Sequence, residues 1–136
     1  MSVGEICDRE VVVTGPDASI AAAARLMREH HVGDVVVVEG AADRPVPVGI
    51  VTDRDLVIEV LAEEVAPDSV TVHDVMSDRL LTAREQDGLW ESLGRMRARG
   101  VRRMPVVDGQ GALAGIVTVD DLLDLLAGEL ADLVKL

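Results

Sequence analysis

Phenylalanine and tyrosine are missing from these 136 residues, and Trp90 is the whole aromatic complement. Without stacking platforms the chain has little with which to hold single-stranded nucleic acid. Positive charge is scarce as well: 13 Lys and Arg stand against 25 Asp and Glu, a net charge of −12. That balance repels phosphate backbones and anionic membrane surfaces, so neither nucleic acid nor a membrane is expected as a partner. The lone cysteine, Cys7, has no second thiol for a disulfide and no Cys or His at metal-ligand spacing. A small apolar role and a reducing, cytoplasmic setting fit it. No apolar run is long enough to span a bilayer, and no basic start leads into one, so the expectation is a soluble cytoplasmic protein.

What is present is said twice. VGIVTDRDLV at 48–57 returns as AGIVTVDDLL at 114–123, which sets Gly49, Thr52 and Asp55 against Gly115, Thr118 and Asp121. Earlier in the chain SVGEIC aligns with TVHDVM, and Ile20, Met27, Val32 and Val38 fall on Leu89, Met96, Val101 and Val107. The offset is 69 residues there and 66 at the second motif, so the first copy holds three extra residues in the loop GAADRPVP. Insertions cost least in loops. Two half-length copies, 1–64 and 65–136 with a linker near 62–70, would each be marginal alone and should fold as one module.

Periodicity gives both copies the same order of elements. A short strand at Val11–Val13 precedes a helix capped within Asp17–Ser19, whose Ile20, Ala23, Ala24 and Met27 share one face. Strands at Val35–Val38 and Val48–Val51 follow, then a helix from Thr52 that fades near Glu63, with Pro67 in the linker. The second copy repeats this with strands at Leu80–Thr82, Met104–Val107 and Ala114–Val117 and helices at Leu89–Arg99 and from Val119. Each copy therefore reads β-α-β-β-α, an α/β protein of α+β type with small sheets covered on one side by helices and a pseudo-twofold relation between copies.

The repeated Thr-x-x-Asp has two readings. A hydroxyl at the end of a strand and a carboxylate three residues on form a capping box for the next helix. The same junction also places a hydroxyl, a carboxylate and free N–H groups where a ribose and a phosphate can bind. Gly49 and Gly115 suit close backbone approach, or simply relax a strand.

GIVTDRD and GIVTVDD, each preceded by a helix and a β-branched strand as in GVRRMPVVD, resemble a tandem pair of CBS (cystathionine β-synthase) domains, also called a Bateman module. The resemblance covers essentially the whole chain and leaves no room for a separate catalytic or transport domain. It implies a regulatory module that binds adenosine-containing ligands, AMP, ADP, ATP or S-adenosylmethionine, in clefts between the repeats and signals to a separate partner protein. Carried onto this sequence, it implies that Asp55 and Asp121 hold ribose and that Thr52 and Thr118 contact ribose or phosphate. Adenine would lie against Ile50 with Val11 and Val12 in one copy, and against Ile116 with Leu80 and Leu81 in the other. Arg102 and Arg103 match positions that hold phosphate; Gly33 and Asp34 stand there in the first copy, where Arg54 offers partial compensation for a repulsive carboxylate.

Arg95, Arg97 and Arg99 also suit the C-terminal end of a helix or a solvated face. His30, His31 and His73 lack ligand spacing and read as surface or helix-end residues, so no metal is expected. Asp120 and Asp121 are adjacent on a helix and point apart, and no nucleophile has an evident base, so no enzyme is expected and no cofactor is required. The alternatives are a ligand-free scaffold with decayed sites and a nucleotide hydrolase. Leu122, Leu123, Leu125, Leu126, Leu130 and Leu133 give the last helix more apolar surface than one inward stripe uses, so a homodimer through helical faces is expected. Trp90, where the first copy has Ala21, belongs at that interface or packs within the monomer.

Overall fold

The computed structural model of the chain describes residues 1–77 and 79–136. Each repeat opens with a single helical turn ahead of the first strand read from the sequence: α1 (Val3–Ile6) and α4 (Val72–Val75). Capping chemistry explains both. Glu5 accepts from the Ser2 N–H at 2.9 Å, and Asp74 accepts from the Thr71 N–H at 3.0 Å, while Thr71 Oγ1 accepts from the Asp74 N–H at 3.3 Å.

In the first repeat β1 (Val13–Thr14), α2 (Ile20–His30), β2 (Asp34–Glu39) and β3 (Val46–Thr52) follow, and the sheet order is β1-β2-β3. Strands β1 and β2 run parallel and so need the crossover that α2 supplies, whereas β2 and β3 are antiparallel. Val35, Val36 and Val37 are all fully buried, as a central strand covered on both faces requires. The register slips between Val37, opposite Gly49, and Val38, opposite Pro47. Val48 is thus a bulge, which lets β3 accommodate a proline. Helix α3 (Asp53–Leu56) passes directly into a π-helical turn at Val57–Leu61.

The second repeat has β4 (Ala83–Arg84), α5 (Leu89–Arg99), β5 (Arg103–Val107), β6 (Leu113–Thr118) and α6 (Val119–Val134), with sheet order β4-β5-β6. Helix α5 has the bounds its periodicity predicts. The first strands lie later than expected, because Val12 contributes only a carbonyl, accepting from the Val36 N–H at 3.0 Å, before pairing begins at Val13.

The spatial units cut the chain differently from the expected halves 1–64 and 65–136. One comprises 11–80 with 111–113, and the other 1–10, 81–110 and 114–136. They are called the Thr52 unit and the Thr118 unit below. The opening turns account for the difference. Val3 is fully buried in a core with Leu89, Met96, Met104, Val106, Val117 and Leu122, and its N–H donates to the Asp87 carbonyl at 2.9 Å. Val72 is fully buried with Ile20, Ala23, Val35, Val37 and Val51, and its N–H donates to the Ala18 carbonyl at 2.8 Å. Each of these one-turn segments gains far more from burial than from its own helical hydrogen bonds.

Candidate functional site

The two strand-to-helix junctions are built alike. In the Thr52 unit, Thr52 caps α3: its Oγ1 accepts from the Asp55 N–H at 3.3 Å, and Asp55 Oδ2 accepts from the Thr52 N–H at 2.9 Å. This is a closed capping box, and it occupies one oxygen of Asp55. In the Thr118 unit, Thr118 Oγ1 accepts from the Asp121 N–H at 3.1 Å, but the half-buried Asp121 carboxylate makes no hydrogen bond among the described residues. Both of its oxygens stay available.

The helices behind these caps differ too. Helix α6 runs 16 residues, whereas α3 has one regular turn before the π turn. A longer run of aligned peptides presents the stronger positive end to an anion. Next to each helix start lies the residue that precedes the middle strand. The Asp53 N–H donates to the Gly33 carbonyl, and the Val119 N–H to the Arg102 carbonyl, both at 2.9 Å. These bonds hold Arg102 and Arg103 beside Thr118 and Asp121. At the other junction the corresponding residues are Gly33 and Asp34, and Asp34 is the register partner of Thr52. Arg102 is exposed and reaches Asp120 at 3.4 Å, a surface pair of small worth. Arg54 is exposed on α3.

The apolar residues divide between the units. Val11, Val12, Ile50 and Leu80 lie in the Thr52 unit, half-buried; Leu81, half-buried, and Ile116, buried, lie in the Thr118 unit. Leu80 and Leu81, grouped on sequence, thus fall on either side of the division. Among the described residues no group of three His, Cys, Asp or Glu is placed to hold a metal ion. His31 closes α2 in the left-handed region at φ 53, and Gly100 closes α5 the same way at φ 66.

Repeat alignment did not reveal what lies against the strands that carry these sites. Asp8 exchanges two backbone hydrogen bonds with Ile116, both at 2.9 Å, and Ser77 donates to the Ile50 carbonyl at 3.2 Å. The glycines exist for this approach. A Cβ on Gly115 would lie 2.7 Å from Cys7 Sγ and 2.7 Å from the Asp8 carbonyl oxygen, and one on Gly49 would lie 2.5 Å from Met76 Sδ. Arg9 fastens the segment, donating to Glu85 at 2.6 Å, to the Ala114 carbonyl at 3.2 Å and to the Gly4 carbonyl at 2.8 Å. The Glu85 hydrogen bond holds the guanidinium charged, while burial pushes the Cys7 thiol up and keeps it protonated.

Comparison with known proteins agrees with this architecture. An uncharacterized protein of Methanopyrus kandleri is 40% identical over 125 residues, which cover 92% of this chain and 62% of that protein. The chain therefore spans less than two thirds of that relative. The CBS domain-containing protein YhcV of Bacillus subtilis is 35% identical over 122 residues, 89% of this chain and 82% of the relative. Among solved structures, the CBS domain pair of protein MJ0100, in complex with 5'-methylthioadenosine and S-adenosyl-L-methionine, superposes with a TM-score of 0.82 at 25% identity. The match covers 95% of this chain and 98% of that one. The CBS domain family itself is matched at residues 3–62 and again at 72–128, so the chain belongs to that family and carries two CBS domains in tandem.

Proposed function

We propose that this chain is a regulatory module that binds an adenosine-containing ligand, AMP, ADP, ATP or S-adenosylmethionine, without turning it over. It passes the bound state to a separate protein partner and works as a homodimer in the cytoplasm. The single observation that carries the ligand reading is the Asp121 carboxylate, half-buried, aligned by the Thr118 cap and left with both oxygens open. Two oxygens match the paired hydroxyls of a ribose. Arg102 and Arg103 supply charge for phosphate, with a fork geometry that suits it. Ile116 and Leu81 offer aliphatic surface to adenine, with Leu80 and Val11, Val12 and Ile50 as the apolar set of the other unit. The adenosine compounds held by the domain pair of protein MJ0100 support the choice of ligand class. Among the described residues no helix is long and apolar enough to cross a membrane.

The two junctions are not equivalent in this reading. Asp55 has committed one oxygen to its own cap, and Asp34 sits where Arg103 sits in the other unit, so phosphorylated adenosines favour the Thr118 unit. Isothermal titration of the chain with AMP, ATP and S-adenosylmethionine tests this. Asp121→Ala should weaken nucleotide binding by about 1.5 to 3 kcal/mol, as for a lost charge-assisted hydrogen bond, and leave the ligand-free melting temperature in place. Asp55→Ala should cost less for ATP than for S-adenosylmethionine. Absence of binding by any adenosine compound, or an unchanged affinity in Asp121→Ala, overturns the reading and leaves Thr118 and Asp121 as a helix cap.

A further inference from the structure

Aligning the repeats puts Gly33 on Arg102, Asp34 on Arg103 and Arg54 on Asp120. Charge changes sign between the copies at the last two of these positions. In the second copy an arginine and a carboxylate meet: Arg102 Nη2 lies 3.4 Å from Asp120 Oδ1. The first copy has no counterpart of this pair, because Gly33 brings no side chain.

The backbone fixes the proximity. The Val119 N–H donates to the Arg102 carbonyl at 2.9 Å, so the stem of Arg102 starts beside the first turn of α6, where Asp120 is the second residue. Both side chains are open to solvent, at 66% and 81%. A pair so wet adds little to stability, so the fold does not depend on it. Its position bears on binding instead. Asp120 directly precedes the open carboxylate of Asp121 and shares with it the positive end of a 16-residue helix, the end that attracts phosphate.

We propose that Asp120 is a specificity-determining residue that turns the Thr118 unit toward adenosine monophosphate and away from the triphosphate. It competes with phosphate for the Arg102 fork, and it repels each charge that a longer phosphate chain adds. Arg102 and Arg103 already balance the carboxylates of Asp120 and Asp121, so the side chains leave no surplus cation for further phosphates. This inference rests on the adenosine reading above and narrows its ligand.

Isothermal titration of the full chain tests it, in magnesium-free buffer at low salt and with Asp55→Ala present to weaken the other junction. AMP should bind more tightly than ATP. Asp120→Asn should narrow that preference about threefold or more, as expected of one exposed charge acting in water on the roughly two extra charges of ATP. High salt should erase most of the change. Adenosine, which has no phosphate, should bind both chains alike, and the thermal melt, which a structural role would lower, should stay close to that of the parent. Adding Arg102→Ala should remove most of the gain in ATP affinity, since the competition needs that guanidinium. ATP bound more tightly than AMP, or a preference that Asp120→Asn leaves unchanged while Asp121→Ala still weakens binding, overturns this inference alone and leaves Asp120 as a helix-end carboxylate. A gain that survives Arg102→Ala undiminished overturns the competition for Arg102. No binding of AMP, ATP or adenosine overturns the adenosine reading and this inference together.

Discussion

Ser92 stands on the inner face of α5 at 2% exposure, and its Oγ finds no hydrogen-bond partner among the described residues. The matching residue of the first repeat is Ala23, fully buried at the same place on α2. Burying an unpaired hydroxyl costs about 1 to 3 kcal/mol, and alanine is the better helix former. Ser92→Ala should therefore raise stability by about 1 kcal/mol, read as a higher urea midpoint at unchanged slope. A lower midpoint would show that the hydroxyl is satisfied in solution. At this scale the sequence was legible where a residue repeats: Thr52 and Thr118 cap as their spacing predicts. It was silent on Asp55 and Asp121, which share that spacing yet differ in whether the carboxylate closes the box, a difference of side-chain orientation.

Elements long enough to show a period were read correctly, and elements of one turn were not. Four residues cannot display helical spacing, so α1 and α4 become visible only through their caps. The α4 cap makes a measurable contribution. Hydrogen bonds from Thr71 hold the Asp74 carboxyl below its ordinary value, so the cap stabilises the folded chain above the unfolded pKa of about 3.9. That contribution is lost as pH falls through the lower folded value. Asp74→Asn removes the titration. Its urea midpoint should lie below the wild type at pH 6, and the gap should close as pH falls below the unfolded pKa and through the lower folded value. A gap independent of pH would mean that the carboxylate adds nothing beyond its shape. The π turn after α3 likewise had no signature, because Leu56, Val57, Val60 and Leu61 fit an ordinary helical stripe; only Val60 of the turn is buried, while Val57, Ile58 and Leu61 stay exposed.

For the molecule as a whole, the chain's division into units follows burial and not the order of the repeats. Val3 and Val72 each complete the core of the unit to which the other repeat contributes most. Gly115→Ala would force a Cβ against Cys7 and Asp8, both of the Thr118 unit, and overpacking of this kind costs about 1 to 3 kcal/mol. Hydrogen exchange should then show protection falling first in β4, β5 and β6, whereas Gly49→Ala, which crowds Met76, should loosen β1, β2 and β3 first. Equal loss in both units from either substitution would count against this division of the core. The repeat, the strand and helix periods, the caps and the paired Thr and Asp were all fixed locally, because propensity, periodicity and capping act over a few residues. Which opening segment each sheet receives, why both motif glycines must be glycine, and which of two identical Thr-x-x-Asp motifs keeps its carboxylate open were decided only by tertiary structure. Those outcomes depend on which distant atoms come within a few ångströms, and no spacing along the chain encodes that.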